Sequence, residues 1–257
     1  MRPALVALPV ALVLAAGCGG SGKPATTTLQ SDYGAQLRAS VAKTAGQSSK
    51  MDIEIATKAG GQDVTISGTG AFAGQVGSMR MSFGAVSIEE RLTGGNLYMK
   101  VPGQEKWYVL KLSDIVGTSL ADSASPGDAA QVLLAVENNV TKVGSDTVRG
   151  AAATRYKGTI PINQAKLDKA QGLRKAALQK LLDSGVTSLP FEAWLDAKGR
   201  LVKITEAVDV TVRSVKAHVD TVIQFYDFGT KVSVAAPPAS ETQDGSPLLA
   251  GLKGQLG

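Results

Sequence analysis

The chain has 257 residues, a formal net charge of +5 and a single cysteine. One cysteine excludes an intramolecular disulfide, so the fold has to be stabilised by its apolar core. Lysine and arginine are spread along the sequence and are not clustered beside aromatic residues, which argues against nucleic-acid binding.

The N-terminus has the pattern of a secretory signal peptide. Arg2 is followed by an uncharged apolar run from Ala4 to Ala16, which is shorter than the about 20 residues that a membrane-spanning helix needs. Small residues then lead into Cys18, and this stretch resembles the lipobox of bacterial lipoproteins, with Ala15 where the pattern prefers Leu. The resemblance implies cleavage just before the cysteine and its acylation, with palmitate as an expected chain. The alternative is an ordinary secreted protein with one unpaired cysteine.

The sequence divides into four segments. After a signal peptide of residues 1–17, residues 18–30 are predicted to be the lipidated cysteine and a flexible tether, because they are small, polar and too poor in apolar surface to fold. Residues 31–238 have a length that one α+β or all-β domain reaches without splitting. Residues 239–257 are interpreted as a C-terminal tail. We therefore expect a protein held on the extracytoplasmic face of the cell membrane through Cys18.

The first half of the domain predicts one helix followed by a meander of six strands. Residues 31–47 have apolar residues at every fourth position, which is typical of an amphipathic helix. The period then changes to two. Turns at Gly60-Gly61, Gly94-Gly95 and Pro102-Gly103 separate the alternating runs.

The second half adds two predicted helices to further strands. One helix is expected from Pro126 to Val136. The longest one is expected from Asn163 to Gly185, with Asn163 as its N-cap and a leucine-rich buried face. The remaining residues alternate as strands, including a hairpin over Asp196 to Gly199 and two long strands between residues 201 and 228.

About eleven strands and two or three helices predict an α+β fold. The strands arrive in runs with helices inserted, which argues against alternating βαβ units and favours one large antiparallel sheet. A sheet of this width must twist and curl, so we expect an unclosed half-barrel with the helices covering its concave face. Such a face can enclose a cavity.

Alternation in the early strands selects the residues that would line this cavity. Four of the five methionines lie at such positions, and methionine is flexible enough to line a surface that accepts irregular partners. The same residues could instead fill a packed core. The ten predicted cavity residues are Met51, Ile53, Ile55, Val64, Ile66, Met79, Met81, Phe83, Leu97 and Met99.

Four segments of the mature chain resemble the LppX/LprAFG family of actinobacterial envelope lipoproteins, whose fold is similar to that of the lipoprotein carriers LolA and LolB. These segments are Gly94–Leu110, Val143–Ile160, Pro190–Ile204 and Tyr226–Pro238. The resemblance implies an unclosed antiparallel barrel with an apolar cavity for the acyl chains of glycolipids or lipoproteins. It offers no short binding signature that can be carried over residue by residue.

The sequence lacks the parts of a common catalytic or metal site. Ser40 and Lys43 match the S-x-x-K pattern of penicillin-recognising enzymes, but the companion K-T-G is absent. His218 is the single histidine and lies close to Asp220, so a metal site or a Ser-His-Asp triad has no further histidine to use. We expect no enzyme activity, no catalytic residue, no bound metal and no cofactor.

Two functions remain open from the sequence. The first is a membrane-anchored lipoprotein that binds the acyl chains of a lipid, glycolipid or lipoprotein for transport or chaperoning. One buried acyl chain of about 16 carbons would contribute roughly 10 kcal/mol, before entropic costs. The second is a non-enzymatic envelope sensor or protein-interaction module with a packed core and no lipid cargo. In either case we expect a monomer.

Overall fold

The computed structural model describes residues 32–112, 131–137, 139–170, 178–179, 181–212 and 215–247. The predicted signal peptide, Cys18 and the tether lie outside these residues. Within the described ranges, no helix is both long and apolar enough to cross a membrane.

Twelve strands of the described chain form one sheet, in which all neighbouring strands are antiparallel except β12 and β6. The strands are β1 Ser49–Ala59, β2 Gln62–Ala73, β3 Val76–Phe83, β4 Val86–Thr93, β5 Asn96–Lys100, β6 Trp107–Lys111, β7 Val140–Val148, β8 Ala151–Pro161, β9 Ser188–Leu195, β10 Leu201–Val212, β11 Val215–Tyr226 and β12 Thr242–Asp244.

Two meanders, β1–β6 and β7–β11, make up the sheet apart from β12, and they meet at its centre. The spatial order is β12-β6-β5-β4-β3-β2-β1-β11-β10-β9-β8-β7. β1 pairs with β11 from Lys50–Tyr226 to Ala59–Ala217, which joins the two meanders. The sheet has two ends, at β12 and β7, so it is not closed. The predicted α+β fold with a large, unclosed and curled antiparallel sheet is confirmed.

The strand β12 is one that the sequence did not predict. It lies in the segment interpreted as a tail, and it pairs in parallel with β6 from Thr242–Trp107 to Asp244–Val109. The N–H of the following residue, Gly245, donates a hydrogen bond of 2.9 Å to the Val109 carbonyl. Three polar residues have no strand signal of their own, so β12 forms because β6 offers unpaired backbone groups at the sheet edge.

The helix α1, Tyr33–Ala45, packs against one face of the sheet, which we call the inner face. Leu37 and Val41 are buried, as their spacing predicts, and belong to the same core cluster as the apolar residues of β1. Asp32 caps the helix, because its side chain accepts a hydrogen bond of 2.8 Å from the N–H of Ala35.

Thr44 attaches the end of α1 to the sheet. Its side chain is fully buried, and its Oγ1 accepts a hydrogen bond of 2.9 Å from the Leu201 N–H at the start of β10. The pairing of β10 with β9 shifts register between Leu201 and Lys203, so the Thr44 hydroxyl supplies a hydrogen-bond partner next to an irregular part of the ladder. Ala45, which the four-residue spacing from Leu37 and Val41 would place on the buried face, is exposed, because Thr44 takes the inward position in the last turn.

The structure describes parts of the two later predicted helices, of which residues 126–130, 171–177 and 180 lie outside the described residues. α2, Gln164–Lys169, begins at the predicted cap Asn163, whose side chain accepts a backbone hydrogen bond of 3.0 Å. It ends at Ala170, which is extended and buried in the core, so packing interrupts the helical pattern there. Residues 178–179 and 181–183 are helical again, and Gly185, the predicted helix end, has a φ of 79°. Of the helix predicted over Pro126–Val136, the described part, Gln131–Ala135, is a 3-10 helix.

Candidate functional site

The strand register places the ten predicted cavity residues on the inner face. Ile55 of β1 pairs with Ile66 of β2, and Ile66 pairs with Phe83 of β3. Side chains alternate between the two faces along a strand, so every second residue from these positions shares their face. By this count the other seven residues also lie there: Met51, Ile53, Val64, Met79, Met81, Leu97 and Met99. Their role in lining a ligand cavity stays a prediction.

The proximal part of the inner face, where β1 begins, is filled by side chains. Met51 is 0% exposed and Met79 is 3% exposed, and both belong to the core cluster that includes α1. Leu97 and Met99 form a second cluster with Leu110 of β6. These residues form packed core.

The distal part of the inner face, towards the hairpin tips, leaves apolar side chains accessible. Phe83 is 53% exposed and Val86 is 45% exposed, at the two ends of the β3–β4 turn. Val215, at the β10–β11 turn, is 48% exposed. We call six inward-facing residues of this region the distal inner surface: Ile55, Ile66, Phe83, Val86, Val208 and Val219.

A glutamate that the sequence interpretation missed lies in the same region. Glu206 of β10 pairs with Thr221 of β11, and Thr221 pairs with Ile55 of β1. Glu206 therefore faces inward, in line with Ile55, Ile66 and Phe83. Burial raises the pKa of Glu206 to about 7.

A second inward-facing glutamate lies in the proximal part. Glu90 of β4 pairs with Met79 and Met99, and it lines a cavity of about 10 Å³ together with Phe72. A space of this size holds about one water molecule. Burial raises the pKa of Glu90 to about 7. Each glutamate occupies a position where the alternation of its strand predicts an inward-facing apolar residue, so the sequence did contain a signal for both.

The outer face of the sheet has a different chemistry. Asp52 accepts hydrogen bonds from Thr69 at 2.8 Å, from Tyr226 at 2.9 Å and from Arg149 at 2.9 Å. The Arg149 guanidinium also lies 3.7 Å from the centre of the Tyr226 ring. An open cleft of about 500 Å³ runs beside Asp52 and is lined mostly by charged, hydroxyl and amide side chains. This lining suits water and polar groups and does not suit hydrocarbon.

The serine and lysine of the S-x-x-K pattern do not form a site. Ser40 is fully buried, and its hydroxyl donates a hydrogen bond of 2.7 Å to the Leu37 carbonyl within the helix. Lys43 extends to the Lys198 carbonyl at 3.3 Å. The lysine therefore contacts the β9–β10 turn and does not activate the hydroxyl.

His218 lies on the outer face between two aspartates. Its Nδ1 is 2.7 Å from Asp209 and its Nε2 is 3.3 Å from Asp220. The hydrogen bond to Asp209 raises the pKa of His218. The sequence interpretation identified Asp220 but missed Asp209, which is on the neighbouring strand. In the part of the chain that the structure describes, no three acidic, histidine or cysteine residues are grouped to bind a metal.

Two curated Streptomyces proteins are similar to the chain. One is an uncharacterized 31.2 kDa protein of the rplA–rplJ intergenic region of Streptomyces griseus, 30% identical over 162 residues, which are 61% of this chain and 51% of that protein. The other is named "Putative lipoprotein SCO4650" in Streptomyces coelicolor, 26% identical over 137 residues, which are 52% of this chain and 38% of that protein. The chain thus spans about half the length, or less, of these relatives. No protein-family model matches the chain.

Three solved structures also resemble it. LprF of Mycobacterium bovis has a TM-score of 0.45 at 18% identity, over 80% of this chain and 97% of LprF. Lipoprotein LppX of Mycobacterium tuberculosis has a TM-score of 0.42 at 16% identity, over 79% of this chain and 97% of LppX. A LolA superfamily protein of Nitrosomonas europaea has a TM-score of 0.31 at 11% identity, over 81% of this chain and 96% of that one. LprF and LppX are among the proteins after which the LppX/LprAFG family is named.

Proposed function

We propose that the protein is a membrane-anchored envelope lipoprotein that binds the acyl chains of a lipid, a glycolipid or a lipoprotein on its distal inner surface, for transport or chaperoning. The observation that carries this proposal is the exposure of Phe83 and Val86, 53% and 45%, on the face that elsewhere forms the core. A contiguous apolar patch of this kind on a protein surface usually marks a binding site.

The dimensions of the distal inner surface suit a hydrocarbon chain. Val86, Phe83, Ile66 and Ile55 follow one another across four neighbouring strands. Strands lie about 4.8 Å apart, so the row is about 14 Å long. Each methylene that it takes out of water contributes about 0.8 kcal/mol. Binding of this kind needs no catalytic group.

The anchor is the second part of the proposal. Cys18 follows a signal-like run and precedes a polar tether of about ten residues. The Streptomyces coelicolor relative, whose name describes a lipoprotein, supports the same assignment. Acylation of Cys18 would hold the domain beside the extracytoplasmic face of the cell membrane, within reach of its lipids.

Photo-crosslinking of the full-length lipoprotein tests the acyl-chain site. The protein is incubated in mild detergent with a diacylglycerol that carries a diazirine in one acyl chain, and the crosslinked residues are located by tandem mass spectrometry. We expect crosslinks on the distal inner surface. Ile66→Glu should reduce them about tenfold, since a charge in an apolar site is costly. Ser67→Glu is the matched control, because Ser67 is the next residue of the strand and is exposed on the outer face. Equal labelling of both variants and the unchanged protein would contradict the proposal.

A packed interior favours a second candidate, a non-enzymatic sensor or protein-interaction module. Met51, Met79, Leu97 and Met99 are nearly or fully buried, and the described cavity beside Glu90 is about 10 Å³. In this case a protein segment would cover the distal inner surface. The same experiment separates the two candidates, because a module of this kind would give no acyl crosslinks on Phe83 and Val86.

A further inference from the structure

The distal inner surface contains one polar pair among apolar residues. Glu206 and Thr221 are directly opposite each other on β10 and β11. On one side the row continues to Ile55 and Ile66, and on the other side Glu206 pairs with Phe191 of β9, which is 3% exposed. The carboxyl group therefore lies at the boundary between the packed core and the accessible apolar end.

Glu206 is unpaired within the described residues. Along β10 its neighbours on the same face are Ile204 and Val208, and neither they nor Phe191 offer a hydrogen bond from a side chain. The charged residues of this region, such as Asp209 and His218, are next to inward-facing positions along their strands, so their side chains face outward. Burial raises the pKa of Glu206 to about 7, so both its acid and its carboxylate form exist near neutral pH.

Two other partly buried glutamates of the sheet show how this chain accommodates such residues elsewhere. Glu192, on the outer face of β9, forms an ion pair with Arg155. Glu89 of β4 pairs with Arg91 at 3.0 Å. A carboxyl group with no partner on an apolar face costs free energy, and a ligand that donates a hydrogen bond to it would recover that cost.

We propose that Glu206, with Thr221 beside it, is a specificity-determining residue that binds a hydroxyl group of a neutral lipid and disfavours acidic lipids. This inference rests on the proposed function. A sugar or glycerol hydroxyl can donate to the carboxylate and accept from the threonine hydroxyl. A phosphate or a fatty-acid carboxylate would place a second negative charge beside Glu206 in a poorly solvated site, where like charges repel more strongly than in water.

Competition in the crosslinking assay tests the proposal with the full-length lipoprotein. The diazirine diacylglycerol is displaced by unlabelled lipids with identical acyl chains: diacylglycerol, a glucosyl diacylglycerol and phosphatidic acid. Comparing the two neutral lipids shows whether the site prefers a glycerol hydroxyl or a sugar hydroxyl. We expect the better neutral lipid to compete at least about tenfold more strongly than phosphatidic acid, which corresponds to about 1.4 kcal/mol.

Three variants identify the residues responsible. Glu206→Gln should bring the preference to within about threefold, mainly by improving competition from phosphatidic acid. Thr221→Val should weaken the neutral lipids and leave phosphatidic acid unchanged. Glu54→Gln is the matched control, because it removes the same charge from an exposed outer-face position of β1 and should leave the preference unchanged.

The outcomes separate this inference from the proposed function. Thermal unfolding by circular dichroism confirms that each variant is folded before it is compared. If the unchanged protein is labelled on Phe83 and Val86 but Glu206→Gln keeps the full preference for neutral lipids, the inference is wrong while the acyl-chain site stands. If the unchanged protein is not labelled on the inner face, the proposed function fails and the inference falls with it.

Discussion

Glu90 and Glu206 lie in surroundings that disfavour their charged form. Burial raises the pKa of each carboxyl group from 4.5 to about 7 in the folded protein. The folded state therefore holds these protons more tightly than the unfolded state does. Between about pH 4.5 and about pH 7 the unfolded state loses protons that the folded state keeps, so the free energy of unfolding falls as the pH rises. These two carboxyl groups therefore make the protein less stable above about pH 7 than near pH 4.5.

Replacing both carboxyl groups should remove this dependence. We expect Glu90→Gln/Glu206→Gln to be more stable than the unchanged protein at about pH 8, by roughly 1–3 kcal/mol, and to gain little at about pH 5. Urea unfolding at the two pH values measures the difference. Glu54→Gln, on the exposed outer face, controls for the loss of one charge. An unchanged pH dependence in the double variant would show that other groups cause it.

At the scale of elements, single contacts decide how helix and edge strand attach to the sheet. α1 ends with Thr44 bonded to the backbone of Leu201, 157 residues further along the chain. β12 extends the sheet by pairing with β6, and Gly245 then fits against Leu110, where a Cβ atom would come within 2.8 Å of the leucine side chain. Both attachments use backbone groups that the regular ladder leaves available.

The contact between α1 and β10 leads to a stability prediction. Thr44→Val keeps the shape of the side chain but leaves the buried Leu201 N–H without its partner, so we expect a loss of about 1–3 kcal/mol in the free energy of unfolding. Thr44→Ser retains the hydroxyl and should lose clearly less than Thr44→Val does. Chemical denaturation of the two variants measures the comparison. Equal losses would mean that the methyl group, and not the hydrogen bond, attaches the helix.

At the scale of the whole molecule, the inner face is divided between core and accessible surface. The proximal part packs against α1 around Met51 and Leu37, both 0% exposed. The distal part keeps Phe83, Val86 and Val215 about half exposed. The packed part supplies stability, and the distal part is accessible without unfolding of the sheet. This division supports the proposed acyl-chain site.

The proposed anchor gives a prediction for the complete protein in its host membrane. Cys18→Ser should abolish incorporation of a clickable palmitate analogue, because the thiol that carries the lipid is gone. It should also shift the mature protein away from the membrane fraction, since its acyl chains supply the membrane affinity. Ser21→Ala, in the same tether, is the control and should behave like the unchanged protein. Continued labelling and membrane retention of Cys18→Ser would contradict the lipobox assignment.

The elements with a strong local pattern are the ones that could be predicted. The period of two in β1 to β6 correctly placed the ten inward-facing residues on one face, because alternation is a property of the strand itself. Glu90 and Glu206 follow the same alternation, but a search for apolar residues at alternating positions does not detect a charged residue at an inward position. The helix end at Ala170 was missed because core packing, not propensity, decides it.

The sequence by itself determined the strands β1 to β11, their faces, the N-cap of α2 at Asn163 and the signal-like N-terminus, since each depends on residues close together in the chain. Only the tertiary structure decided which strands are neighbours. The pairing of β1 with β11 joins residues more than 150 positions apart, and it places Thr221 and Glu206 in line with Ile55. Local periodicity has no information about such pairs, because their formation depends on loop closure and packing of the whole sheet. The division of the inner face into packed core and accessible surface is likewise a property of the assembled fold.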